Sequence, residues 1–222
     1  MNPTNPSSLF RREWPTALVV LLPFVVFVII WPSLPAQVPM HVDSHGIVNR
    51  YGIPIELLIL PGINLLVAIL LYFIPRIDPK QANIAASLPA YRWIRFAIAA
   101  FLTCVFGRML ATTLNPTFDA MPFIGIGLLV LFCMLGFLMP KLKQNYLIGI
   151  RLPWTLDSEE NWRRTHAFAG KWWVRGSLLG IVLSLVFQSI SFFIAFGTLI
   201  VLVISTVIYS YRLFRRETQH VS

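Results

Sequence analysis

Charge is what this 222-residue chain has least of. Only 12% of its residues are Asp, Glu, Lys or Arg, about half the roughly 25% of a soluble domain. Cysteine is almost missing: Cys104 and Cys133 fall inside apolar runs and outside any CxxC or CxxxH pattern. That excludes a disulfide framework and leaves both as small packing residues. A phosphate loop, a nucleophile elbow and a metal-binding helix motif are also missing. No enzyme, no cofactor and no metal site is therefore expected.

What is present is apolar: 57% of residues are hydrophobic, in runs approaching or exceeding the ~18 residues of a bilayer-spanning helix. Arg11 and Arg12 precede the first run as they would in a signal peptide. The run continues to Ile30 and ends in Trp31-Pro32 without a small-residue cleavage site, so a retained span is expected. The pattern predicts an all-α, polytopic transmembrane bundle of six spans, about Trp14–Leu34, Pro54–Pro75, Ala90–Thr113, Ala120–Pro140, 172–188 and 191–211. The block Trp172–Tyr211 is roughly twice too long for one crossing and should fold back at Gln188-Ser189-Ile190-Ser191. Pro23 and Pro61 predict kinks.

Orientation follows from the basic residues. In the six-span reading every Lys and Arg except Arg50 and Arg108 falls on one side, which should be the cytoplasm, with both termini there. The net charge of +9 is thus topological and implies no direct nucleic-acid partner. Two regions are read: residues 1–80, with two spans and an outer loop, and 81–222, with four spans and an inner loop at 141–171.

The outer loop, LPAQVPMHVDSHGIVNRYG over 34–52, is dense in ionizable groups. His41, Asp43 and His45 alternate, so an extended backbone would put them on one face, where a divalent ion is one use and hydrogen bonds within the loop another. Gly46 supplies a turn, and Asn49 and Arg50 complete the ligand candidates. Beyond the basic residues counted with the inner connections, two charges sit inside spans near their outer ends, Glu56 and Arg108, at similar depth. Such groups find a partner or a water-filled cavity, so the two are expected to pair or share a pocket, as a structural ion pair or an outward-facing binding site. Asn64, two turns below Glu56, would extend that pocket inward.

The inner loop holds the most specified stretch, NYLIGIRLPWTLDSEENWRRTHAFAG over 145–170. Asp157 and Glu160 look like a capping box, and Glu159–Arg163 and Glu160–Arg164 are i,i+4 pairs. A helix should start near Ser158, with Trp162, Thr165, Ala169 and Trp172 on one stripe and Trp173 beside it, lying at the headgroup level before joining the fifth span. Glu159 and His166 lie too far apart on that helix for acid–base work together. His166 is expected to cap carbonyls or touch Asn145.

This stretch strongly resembles the SdpI family of bacterial multispan membrane proteins. The resemblance rests on Asn145, Gly149, Arg151, Pro153, Trp154, Thr155, Leu156, Glu159, Trp162, Thr165, His166 and Gly170, with Leu152 departing from the family's small or hydroxylated residue. The outer-loop pattern LP..VP.H....G..NR.G resembles the N-terminal domain of uncharacterized function that often precedes SdpI-type domains. The resemblance implies a multi-pass protein of the bacterial cell membrane. It would act as an immunity protein against a secreted peptide toxin, and as a receptor that draws a cytoplasmic DNA-binding repressor to the membrane. A transporter or exporter of a small molecule or peptide is the alternative, its support being Glu56, Asn64 and Arg108.

Overall fold

The computed structural model describes residues 6–43, 47–116 and 121–219. Helix α1 (Pro6–Ile30) leads into an antiparallel hairpin of β1 (Val38–Val42) and β2 (Val48–Gly52). Then follow α2 (Ile59–Ile77), α3 (Gln81–Leu114), α4 (Met121–Leu138), the short α5 (Pro153–Asp157), α6 (Glu159–Val186) and α7 (Ser191–Gln219).

Among the described residues, five stretches are long and apolar enough to cross a membrane: Glu13–Ser33, Pro54–Ile77, Gln81–Leu114, Pro122–Lys141 and Gln188–Gln219. This is a multi-pass membrane protein. The remaining expected span, the fifth at 172–188, lies in α6, which differs because its first half is the polar signature stretch and carries Lys171 and Arg175. Its second half exposes Leu178, Leu179, Val182, Leu185 and Val186. The reversal expected at 188–191 is a 3-10 turn, Gln188–Ile190, between α6 and α7.

Three element boundaries depart from the sequence reading. The α3 helix begins nine residues before the expected start and carries Pro89 inside it. Pro61 stands in the first turn of α2, after a 3-10 turn at Pro54–Leu58, where a missing N–H costs no helical bond and no kink follows. And α6 is one continuous helix, so no separate headgroup-level segment precedes the span.

The chain divides into two compact units. One holds residues 1–71 and 95–124, the other 72–94 and 125–222. In the first, Phe27, Val38, Leu57, Phe106 and Leu110 form the core, so the hairpin is seated by Val38 at its base. Buried Asn64 donates to Ala99 O (3.2 Å) and to Thr103 Oγ1 (3.1 Å), and Thr103 in turn donates to Val19 O (2.9 Å). Asn64 therefore ties α1, α2 and α3 together, rather than opening a polar path from Glu56. Buried Arg95 pairs with Glu13 of α1.

In the second unit α6 and α7 run antiparallel through small and hydroxyl residues. Ser177, Gly180 and Ser184 of α6 and Ala195, Thr206 and Ser210 of α7 are all buried, and Trp173 Nε1 donates to Thr206 Oγ1 at 3.1 Å. Close approach of small residues replaces the hydrophobic effect, which lipid cannot supply between helices.

Candidate functional site

In the second unit the signature stretch builds a closed clasp. Asn145 Oδ1 accepts from the N–H groups of Leu147 (3.0 Å) and Ile148 (2.7 Å), and its Nδ2 donates to Lys143 O (2.9 Å). A short amide side chain thus sets the turn that enters the loop. Gly149 follows at φ +113°, and a Cβ there would lie 2.6 Å from His166 Nε2. Glycine is needed on both counts.

His166 is fully buried. Its Nδ1 is 2.8 Å from Trp162 O, and its Nε2 is 3.0 Å from the Ile150 amide. A carbonyl only accepts and an amide N–H only donates, so the ring is the neutral tautomer with its proton on Nδ1. Burial lowers its pKa to about 4, since the charged form would lose water and place two N–H groups head to head. Trp162 stacks on the ring at 4.1 Å between centroids and donates from Nε1 to Leu142 O at 2.9 Å. His166 does not touch Asn145. Its partners are the backbone on either side of the loop, which leaves no ring nitrogen for acid–base chemistry.

Thr155 closes the other side. Its hydroxyl accepts from Leu152 N (2.9 Å) and lies 2.8 Å from Ile150 O and 2.9 Å from Leu152 O. Pro153 starts α5, where its missing N–H is harmless. Trp154 donates to Ser210 Oγ and packs against Tyr211 and Phe214 of α7. Arg151 Nη1 donates to Tyr146 O at 3.0 Å. Gly170 brings Pro140 so close that a Cβ would lie 2.4 Å from its Cγ.

The helix start differs from the capping box expected at Asp157. Ser158 is the cap, accepting from Asn161 N at 3.1 Å. Glu160 takes Arg163 through two contacts of 2.9 and 2.7 Å and Arg164 at 3.8 Å. Arg163 thus pairs at i,i+3 with Glu160, not at i,i+4 with Glu159. The hydrogen bond from Arg163 holds the Glu160 carboxyl below the usual range. The stripe of Trp162, Thr165, Ala169 and Trp173 is buried in protein, while Trp172 is exposed. An aromatic stripe reads the same whether it meets lipid or protein, and tertiary packing chose protein.

Several residues of the clasp carry no motif signal. Gln144 Nε2 donates to Thr155 O and Leu156 O, each at 3.0 Å, and its side-chain oxygen accepts from Lys80 Nζ. Buried Asp78 accepts from the amides of Lys80 (2.7 Å) and Tyr146 (2.9 Å), pinning the Asp78-Pro79 turn to the loop. Asn161 Nδ2 donates to Ser210 O at 3.2 Å, and its Oδ1 accepts from Thr165 Oγ1 at 3.1 Å. The sequence hint for Asp78 was its place before a proline between two helices, which also reads as an ordinary turn. Beside the clasp lies a cavity of about 470 Å³, with Lys143, Gln144, Glu159, Glu160 and Arg163 among its lining.

In the first unit the hairpin forms the roof of a second cavity. The register pairs Pro39 with Tyr51 and His41 with Arg50, so Met40 is an extra residue in β1 and bulges the strand. His41 Nδ1 lies 2.6 Å from Asn49 Oδ1. Asp43 Oδ1 accepts from Ile47 N at 2.9 Å, so these two side chains serve the hairpin itself. His45 and Gly46 lie outside the described residues, and among the described residues no three His, Cys, Asp or Glu side chains are grouped to hold a metal.

Glu56 is not Arg108's partner. Its Oε2 accepts from Arg50 Nη2 at 2.6 Å and its Oε1 from Ile53 N at 3.0 Å. Arg50 sits six residues away on the hairpin, a proximity that only the fold creates. Arg108 and Arg50 both line the cavity, which measures about 460 Å³.

Residues 141–210 match the SdpI/YfhL protein family, and residues 18–65 match a domain of unknown function, DUF1648. The chain is 25% identical over 154 residues to Immunity protein SdpI of Bacillus subtilis (strain 168), covering 69% of this chain and 72% of that protein. No solved structure matches. The family resemblance read at residues 145–170 is thereby shown, and the matched stretch takes in both the loop of the clasp and Ser210, to which Trp154 and Asn161 bind.

Proposed function

We propose that this chain, with its SdpI/YfhL-family segment at 141–210, is an integral membrane immunity protein of the bacterial cell membrane that protects against a secreted peptide toxin. The similarity to Immunity protein SdpI carries the reading. Its supporting geometry is a signature stretch whose polar groups are consumed internally, as in a scaffold rather than a reaction centre. The protein crosses the bilayer six times with both termini in the cytoplasm. The apolar exposed half of α6 supports the additional crossing, and the placement of all basic residues but Arg50 and Arg108 supports the sidedness.

In this reading the toxin is met outside, at the hairpin of His41, Asp43, Asn49 and Arg50 and at Glu56 and Arg108. The clasp from Asn145 to Gly170 faces the cytoplasm and presents the surface that a DNA-binding repressor would recognise. Coupling of the two faces requires the toxin to favour one arrangement of the helices over another. The test is expression in a Bacillus subtilis strain stripped of its Immunity protein SdpI and challenged with the toxin to which that loss exposes it. Protection by the wild-type chain, reduced by Arg151→Ala, is expected. Equal killing of expressing and non-expressing cells would end the immunity reading.

A further inference from the structure

Where α6 leaves the clasp, one of its faces is more constructed than membrane sidedness requires. Phe168, Lys171, Trp172 and Arg175 stand at i, i+3, i+4 and i+7, on one side of the helix. Tyr209 of α7 stacks on Phe168, with the rings 4.1 Å apart and 7° from parallel. Trp172 packs on Phe168 at 6.1 Å between centroids, and the Arg175 guanidinium lies 5.9 Å from the centre of the Trp172 ring. A run of ring contacts thus leads from α7 to one exposed arginine and restricts where it points. A basic residue that served only to set sidedness needs its charge and no such support.

Lys171 is one turn from Arg175, and both are exposed. Neither has an acidic partner among the described residues, and no Asp or Glu occurs from Asn161 to Arg216. One to three turns further along the same face, Leu178, Leu179, Val182 and Val186 are exposed.

We propose that this face binds one anionic phospholipid of the cytoplasmic leaflet. Its phosphate sits between Lys171 and Arg175, its glycerol on the Trp172 indole and its acyl chains along Leu178, Leu179 and Val182. The proposal rests on the reading that the second half of α6 crosses the bilayer with the clasp in the cytoplasm. Side chains four residues apart on a helix stand about 5–6 Å apart at Cβ, so an ammonium and a guanidinium there converge on a single phosphate. Indole rings settle at headgroup depth, and basic residues at the hydrocarbon boundary attract anionic lipids. Two other occupants fit worse. A second copy of the chain, packed on this face about a two-fold axis along the membrane normal, would set Lys171 and Arg175 against the same two residues. A zwitterionic lipid would bring its own cation to a stretch with no acid to receive it. A lipid seated here fixes the depth at which α6 passes from the clasp into the bilayer.

The experiment uses the full chain purified in detergent, with binding of phosphatidylglycerol and of phosphatidylcholine of identical chains followed by native mass spectrometry. The wild-type chain is expected to retain one phosphatidylglycerol about ten-fold or more tightly than phosphatidylcholine. Lys171→Gln and Arg175→Gln should each cut that preference by about five-fold, the worth of one basic residue near a lipid phosphate, and Arg175→Lys should keep part of it. Trp172→Ala leaves every charge in place and should also weaken phosphatidylglycerol, because Arg175 loses its support. Arg215→Gln, which removes an equal charge from the end of α7, should leave the preference unchanged. An equal loss with Arg215→Gln would mean attraction to the basic side as a whole and would overturn the site. Equal retention of both lipids by the wild-type chain would do the same without any variant. Displacement of the lipid by glycerol phosphate at the same concentration would turn the site into one for a free anion. Termini in opposite compartments would overturn the crossing by α6, whereas cytoplasmic termini with no lipid preference keep the crossing and lose the site.

Discussion

His166 shows how a residue of catalytic type becomes structural. Its two nitrogens close the loop onto α6, and the ring stays neutral because burial disfavours the charged form. The folded pKa of about 4 lies below the unfolded 6.5, so between those values the unfolded chain binds the extra proton. Stability is therefore complete above pH 6.5 and falls as pH drops toward 4, by about 3 kcal/mol in all. Thermal unfolding of detergent-solubilised protein across pH 4–7 should show that slope, and His166→Gln should flatten it while lowering stability at neutral pH. Gly149→Ala meets two obstacles, positive φ and a 2.6 Å approach to the imidazole. A loss of roughly 2–3 kcal/mol or more is expected, read as a lower melting temperature in the same assay. At this scale the motif residues were legible because their types are unusual for a loop between apolar segments. Gln144, Asp78 and Asn161 were not, since an amide or a carboxylate in a polar segment carries no mark of the backbone group it will bind.

Among the elements, α6 is the most informative. Its start depends on Ser158, whose hydroxyl accepts from Asn161 N, and Ser158→Ala should cost about 1 kcal/mol, whereas Asp157→Ala should cost little. The comparison of the two variants by thermal unfolding separates the observed cap from the one expected at Asp157. Both residues are good caps by type, so a one-residue shift in where the chain turns helical was invisible in the pattern. The end of α6 was legible, because a 40-residue apolar block exceeds one membrane crossing and Gln188 to Ser191 is its most polar point. The opposite case is the aromatic stripe: periodicity placed Trp162, Thr165 and Ala169 on one face, and only the presence of α7 and the loop against that face made it a protein core. The hairpin was not legible: the all-α reading held no strand, and β1 and β2, the bulge at Met40 and the seating of Arg50 on Glu56 all needed the folded loop.

For the whole molecule the deciding prediction concerns the sixth crossing. Single-cysteine variants at residues 43 and 157 should label from opposite faces of the membrane, and reporters fused to the two termini should both report the cytoplasm. Termini in opposite compartments would leave α6 outside the bilayer and reduce the spans to five. The sequence by itself determined that this is a multi-pass membrane protein, and it carried the resemblance of residues 145–170 to the SdpI family. Those properties are sums over many residues, of apolar length and of charge, and they survive any rearrangement of neighbours. Only the tertiary structure decided which groups meet: Arg50 with Glu56, His166 with the Ile150 amide, Trp154 with Ser210, Asp78 with the loop. Each of those contacts joins groups separated along the chain, with a geometry that must hold to a few tenths of an ångström. Composition and spacing carry no information at that precision until the helices have packed.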